Sequence, residues 1–262
     1  VEHYSGKVFT KNDLIQLFHM NETVESNYIQ WSEFKNIRIL EDGVCGGKVC
    51  CIRVNYNGNE YVLKEMNESM NFGKDYYAID RCKSYFGLNH MNMKIIVSDS
   101  GLIKKDKKHR SYVNNCYIDK RPHVTYCMMD YWDNIGDLGK HKIMLDDPVI
   151  AKECLKIRLF DGIFRSSDNI LRNILVNKQG DLLSIDEGDI FGKRKYIFNK
   201  KGDWCKKNIH INMLCEVVDD IIYTFHKYQE DIIKHFNHLN MDELFTRMDN
   251  YKSIVLSEFE VS

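Results

Sequence analysis

Proline and alanine are nearly absent: among 262 residues, Pro122, Pro148, Ala78 and Ala151 are the whole supply. So little proline excludes collagen, and a hydrophobic content of 44% excludes intrinsic disorder; the same composition excludes a coiled coil. The shortage of both residues, beside abundant Lys, Asn and Ile, is the bias that an AT-rich genome writes, as in some large DNA viruses or protozoa. No run of about eighteen apolar residues occurs, so no segment is expected to span a membrane. The first residues, Val1-Glu2-His3-Tyr4-Ser5, lack a basic-then-apolar targeting pattern. None of the nine cysteines forms a C-x-x-C pair and their number is odd. Reduced, buried thiols are therefore expected, in place of a disulfide framework or a zinc ribbon. These absences predict a soluble, cytoplasmic protein, in the host cell cytoplasm if the bias is viral.

Net charge is also missing, at −1, but charge is clustered along the chain. Between Lys193 and Lys207 seven basic residues face one acid, Asp203, and a second basic cluster spans Lys104 to Arg110. The last fifty residues lean acidic. Clusters of one sign are solvated faces by default, and docking surfaces for an anionic partner when a site lies beside them.

Hydrophobic patterning divides the chain. Residues 10–35 read as an amphipathic helical extension through Leu14, Leu17, Phe18, Trp31 and Phe34. Residues 36–66 read as an antiparallel meander, with Asn57-Gly58 as a hairpin turn between its last two strands. A helix is expected over 74–86, ended by Gly87, then strands near 93–97 and 124–129. Asp147 followed by Pro148 is a helix start, and the helix beyond it carries Ile150, Cys154, Ile157, Phe160 and Phe164 at close to a 3.6-residue period. Residues 211–260 return to helical patterns. The expected organisation is α+β: a helical extension over 1–35, a small antiparallel sheet lobe over 36–131 and a mainly helical lobe over 132–262.

The chemistry concentrates at 168–188. Residues 174–176 and 182–185 read as short strands about a glycine-bearing turn, hence an antiparallel hairpin. Asn173 starts its first strand and Asp186 follows its second, so the pairing brings the two together, while Asp168 lies on the loop leaving the buried helix. Two carboxylates and an amide oxygen at one mouth suit a hard cation such as magnesium. With a magnesium-bound triphosphate, one carboxylate orients a hydroxyl while the other groups hold metal. A loop merely rich in Asp and Asn is the bland alternative for any one of these residues. The order of buried helix, D-x4-N, hairpin and D-x-G favours the site.

That order resembles the catalytic core of protein-kinase-like phosphotransferases, especially the atypical branches of phosphoinositide kinases, actin-fragmin kinase and HipA-type kinases. The resemblance implies a two-lobed kinase-like fold that uses ATP and Mg2+. It makes Asp168 the catalytic-loop aspartate, Asn173 a metal ligand and Asp186 the main metal ligand. Lys64, on a strand face shared with Val62 and Met66, resembles the lysine that grips the nucleotide phosphates. Gly43, Gly46 and Gly47 take the place of the phosphate-covering loop. Met129, Asp130 and Trp132 resemble the hinge, with the backbone of Asp130 and Trp132 meeting adenine. Departures are clear: Ser166-Ser167 stand where H-R would precede the aspartate, Glu187 stands where many kinases have Phe, and no A-P-E follows. No Glu lies at the customary distance after Lys64, leaving Asp75 or Asp80 as its acidic partner.

By the same likeness, Lys193, Arg194, Lys195, Lys200 and Lys201 lie in the segment where acceptors dock. They favour an anionic acceptor, a lipid headgroup or a phosphorylated molecule, with a protein hydroxyl as the broader alternative. Tyr196, Phe198 and Trp204 interleave with them, which suits a base or a membrane surface. Two other readings compete. One is a catalytically silent pseudokinase acting as a binding module. The other is a metal-dependent nuclease built on Asp181, Asp186, Glu187 and Asp189. Neither the acceptor nor the oligomeric state is legible.

Overall fold

The computed structural model describes residues 28–40, 51–65, 70–104, 116–165, 170–185, 197–198, 207–236 and 241–261. The architecture is α+β: among the described residues it comprises a five-stranded antiparallel sheet, a three-stranded sheet and six α-helices. Two compact units result, one of residues 1–77 and 91–132, the other of 78–90 and 133–262.

In the first unit, β1 (Lys35–Ile39), β2 (Cys51–Tyr56), β3 (Asn59–Glu65), β4 (Lys94–Lys104) and β5 (Cys116–Asp130) form a sheet of order β1-β2-β3-β5-β4. The β2–β3 connection is the expected two-residue turn. Asn57 and Gly58 both take positive φ, 50° and 82°, which matches the right-handed twist of the flanking strands. One sheet face is apolar: Ile52, Val54, Leu63, Tyr126 and Met128 pack with Ile29, Trp31 and Phe34. Complete burial of a side chain such as Ile52 or Leu63 contributes roughly 1.5–3 kcal/mol.

The segment covering that face corrects one expectation. Over 28–35 the chain is not helical. Tyr28 makes an isolated parallel bridge to Val97, residues 31–33 form a single 3-10 turn, and β1 follows. The Trp31 amide donates to Asp99 Oδ1 at 2.7 Å, and Trp31 packs on Tyr126. Tertiary burial of alternate residues here outweighs local helical periodicity. The rest of the expected helix lies outside the described residues. Strands β4 and β5 also run longer than expected. Their pairing skips between Ser98 and Ser100, opposite Val124 and Lys120, so Pro122 falls in an irregularity where its missing N–H breaks no ladder bond.

Helix α1 (Met70–Tyr85) ends on Gly87, whose φ is +64°. Gly87 N–H donates to the Ser84 carbonyl and Leu88 N–H to the Lys83 carbonyl, which closes the helix as a Schellman motif. In the second unit, α2 (Pro148–Ile163) begins as read from sequence: Asp147 accepts the Val149 amide at 2.8 Å and Pro148 takes the first helical position. This helix is the core of the unit, with Leu155, Leu159, Phe160 and Ile163 at no measurable exposure. Phe160 meets Phe86 and Phe164, and Phe164 stacks on Phe236. Around it lie α3 (Ile211–Lys227), α4 (Gln229–His235), α5 (Asp242–Asp249) and α6 (Tyr251–Val261).

Beside α2 sits the small sheet of β6 (Gly136–Asp137), β7 (Ile174–Val176) and β8 (Leu182–Ser184), in that order. The β7–β8 hairpin is the expected one; β6 was not expected, since two residues carry no periodicity. Five described cysteines are free thiols; Cys51, Cys82, Cys127 and Cys154 are buried. Among the described residues no helix is long and apolar enough to cross a membrane.

Candidate functional site

The first unit positions Lys64. Along β3 its neighbour Leu63 enters the apolar core, so alternation turns Lys64 to the other face. There it stands directly between Cys51 of β2 and Cys127 of β5, both buried. The side chain is only 9% exposed. A buried ammonium needs compensating negative charge or π density. Part of that is the ring of Tyr76 on α1, whose centroid is 4.8 Å from Lys64 Nζ. Asp75, also buried, precedes Tyr76 on the same helix. Asp80 is buried in the other unit, with His90 Nδ1 at 4.0 Å from its Oδ2.

The end of β5 presents Met129, Asp130 and, beyond it, Trp132. Met129 is buried beside Val62. Asp130 N–H donates to the Met91 carbonyl at 2.8 Å, and its carboxylate accepts from Asn92 Nδ2 at 2.7 Å. Tyr131 N–H donates to the Glu60 carbonyl, and Arg53 lies over the Tyr131 ring at 3.6 Å. The turn is therefore held on both sides. The Asp130 amide is committed to the protein itself, so a ligand meeting Asp130 here would use its carbonyl.

The second unit positions Asn173. A 3-10 turn, Leu171–Asn173, leads into β7. Ile174 pairs with Ser184 and Val176 with Leu182, and the Ile185 amide donates to the Asn173 carbonyl at 2.8 Å. At the far end the turn is fixed by Asn177, whose Oδ1 accepts the amides of Gln179 and Asp181 while its Nδ2 donates to Asp181 Oδ2. Gly180, at φ +91°, supplies the left-handed residue. Asp181 thus belongs to the turn, separated by all of β8 from Ile185, and the nuclease reading loses its first carboxylate.

Asp168, Asp186, Gly43, Gly46, Gly47, Lys193, Arg194, Lys195, Lys200 and Lys201 lie outside the described residues. Among the described residues no group of three His, Cys, Asp or Glu is set to hold a metal. Asn173 is half-buried at the mouth of the hairpin, and its amide oxygen is a suitable donor for a hard cation. Within the basic stretch, Ile197 and Phe198 are described and buried. Both of their amides donate to the Glu258 carboxylate, and Phe198 meets Phe259. Phe198 is therefore a core residue and is not presented to a base or a membrane.

Sequence reasoning missed Lys83. Its side chain is wholly buried, with Nζ donating to the Ser184 carbonyl at 2.7 Å. A signal was present: Ile79 and Cys82 mark the buried stripe of α1, continued by Phe86 just past its end, and Lys83 stands four residues after Ile79 on that stripe.

No family model matches the chain, and no curated protein matches it. Among solved structures it is similar to the crystal structure of a Helicobacter pylori proinflammatory kinase, CtkA, at 14% identity and a TM-score of 0.46, over 89% of this chain and 96% of that one.

Proposed function

We propose that this chain is an atypical kinase that uses ATP and magnesium to transfer the γ-phosphoryl group to a hydroxyl. The acceptor is a protein or an anionic molecule such as a lipid headgroup or a phosphorylated metabolite. One observation carries the reading: the hairpin register that joins the Ile185 amide to the Asn173 carbonyl. A D-x4-N and D-x-G pair acts as a metal site only when its asparagine and second aspartate leave the open end of one hairpin. Here Asn173 is at that end, and Asp186 is the next residue after Ile185. The burial of Lys64 on a strand face beside Tyr76 adds support, since an ammonium held there suits a phosphate chain better than bulk water.

In this reading Lys64 grips the nucleotide phosphates and the backbone at Gly43, Gly46 and Gly47 covers them. Met129, Asp130 and Trp132 receive the adenine. Asn173 and Asp186 would hold magnesium, and Asp168 orients the accepting hydroxyl and takes up its proton as the oxygen attacks the γ-phosphorus, the bond from that phosphorus to the β–γ bridging oxygen breaks and ADP leaves. Bound magnesium would neutralise charge on the phosphate oxygens. Lys193, Arg194, Lys195, Lys200 and Lys201 draw in an anionic acceptor.

The test is incubation of the chain with magnesium and γ-labelled ATP, alone and with candidate acceptors. Label is expected to appear on an acceptor, and Asp186→Ala is expected to abolish its appearance while the melting temperature holds. Transfer by Asp186→Ala at the wild-type rate would overturn the assignment. Binding of magnesium-ATP with no transfer by the wild-type chain would identify a silent binding module in place of an enzyme.

A further inference from the structure

The outer edge of β8 is held by two side chains, one from the last turn of α1 and one from the segment that follows it. Leu183 pairs with Leu175, and Ile185 donates to Asn173, so the backbone groups of 183 and 185 face β7. The carbonyls of Leu182 and Ser184 consequently point the other way, where among the described residues no strand follows in the sheet. Each accepts a side-chain donor: Asn89 Nδ2 reaches Leu182 O at 2.8 Å, and Lys83 Nζ reaches Ser184 O at 2.7 Å. The Schellman closure at Gly87 fixes the chain between these two donors.

Lysine is rarely buried completely, because removing an ammonium from water costs several kcal/mol. The Lys83 bond to the Ser184 carbonyl is charge-assisted, roughly twice as strong as a neutral one. It is made to the carbonyl two residues before Asp186.

We propose that Lys83, with Asn89, is a positioning residue for the metal site proposed above: the pair clamps the outer edge of β8, and with it the Ile185 amide that is bonded to Asn173, immediately before Asp186 in the sequence. The proposal rests on the kinase reading above and extends it to residues outside the motif. Lys83 acts on that site through its bond to the Ser184 carbonyl.

The experiment compares wild-type chain, Lys83→Met, Lys83→Arg and Asn89→Ala. Amide hydrogen exchange is followed without nucleotide, and the magnesium concentration for half-maximal label transfer is measured separately. Lys83→Met is expected to speed exchange over 182–190 while leaving α3 unchanged, and to raise the magnesium midpoint about tenfold, the scale seen when supports of metal ligands are removed. Asn89→Ala moves both in the same direction by less. Lys83→Arg, which keeps a charged donor, restores part of both. A folded Lys83→Met with unmoved exchange and midpoint overturns the proposal, as does a change spread evenly over the chain. If Lys83→Met does not fold, the exposed Asn89 decides: an Asn89→Ala chain identical to wild type in both measurements overturns it. An active wild-type chain with unmoved variants sinks this proposal alone; an inert wild-type chain sinks the kinase reading and this proposal with it.

Discussion

The ring of Tyr76 lies 4.8 Å from the ammonium of Lys64, one residue along α1 from the buried carboxylate of Asp75. A strand lysine flanked by two buried cysteines is thereby held away from solvent by a helix. That arrangement gives the cation proposed to bind phosphate a fixed address in its unit, and the residues proposed for catalysis in the other unit can be tested separately from it.

Asp168→Ala separates chemistry from binding. If Asp168 orients the accepting hydroxyl, transfer should fall about 10²–10⁴-fold, the usual worth of a positioned general base. Affinity for ATP, measured by equilibrium binding, should stay within about twofold. Parallel loss of both would contradict the role.

Lys200→Ala with Lys201→Ala addresses the acceptor. For an anionic acceptor the KM should rise and its salt dependence weaken, because surface charges act over about 10 Å at 0.1 M salt. ATP affinity should not change. Steady-state kinetics over a salt series measures this, and an unmoved acceptor KM would remove the basic stretch from the site.

Gly162→Ala sets two effects against each other within α2. Helix propensity favours alanine by about 1 kcal/mol. Packing opposes it, since an added Cβ would stand 2.6 Å from the Tyr251 hydroxyl and 3.1 Å from Ile197 Cγ1. The hydroxyl has little room to yield, because it donates to the Leu159 carbonyl. Overpacking of this kind costs about 1–3 kcal/mol, so net destabilisation is expected in denaturant titration. Combining it with Tyr251→Phe should cost less than the sum of the two single changes.

His235 makes stability depend on pH. Burial first, then the Arg81 charge, hold its imidazole below the ordinary value of 6.5, with Asp231 opposing and Lys234 adding a smaller push downward. Tyr85 Oη is 3.2 Å from its Nε2, and Tyr85 stacks on Tyr228. A group whose folded value is lowered leaves its stabilisation intact above 6.5. That stabilisation is lost as pH falls toward the lower folded value. Thermal melting from pH 8 to pH 5 should show this loss, and His235→Gln should flatten it.

What could be read from residues alone was local. The Asn57-Gly58 turn, the Asp147 cap with Pro148, and the alternation that turns Lys64 away from Leu63 each depend on chemistry within a few positions. The hairpin behind Asn173 was legible for the same reason. What escaped was set at long range. Residues 28–35 gave up helical form to cover the sheet, and β6 exists only because β7 offers it an edge. Lys83 bonds to a carbonyl 101 positions away, which no local pattern announces.

The left-handed pair at 57–58 has an effect at the opposite end of its hairpin. Inserting or deleting one residue there would slide β3 by a single step against β2 and exchange the destinations of Leu63 and Lys64. An ammonium would then enter the cluster around Ile52 and Tyr126, and a leucine would occupy the position proposed for phosphate. Two residues at the far turn thus decide whether this lysine stands on the face away from the apolar cluster or is driven into it.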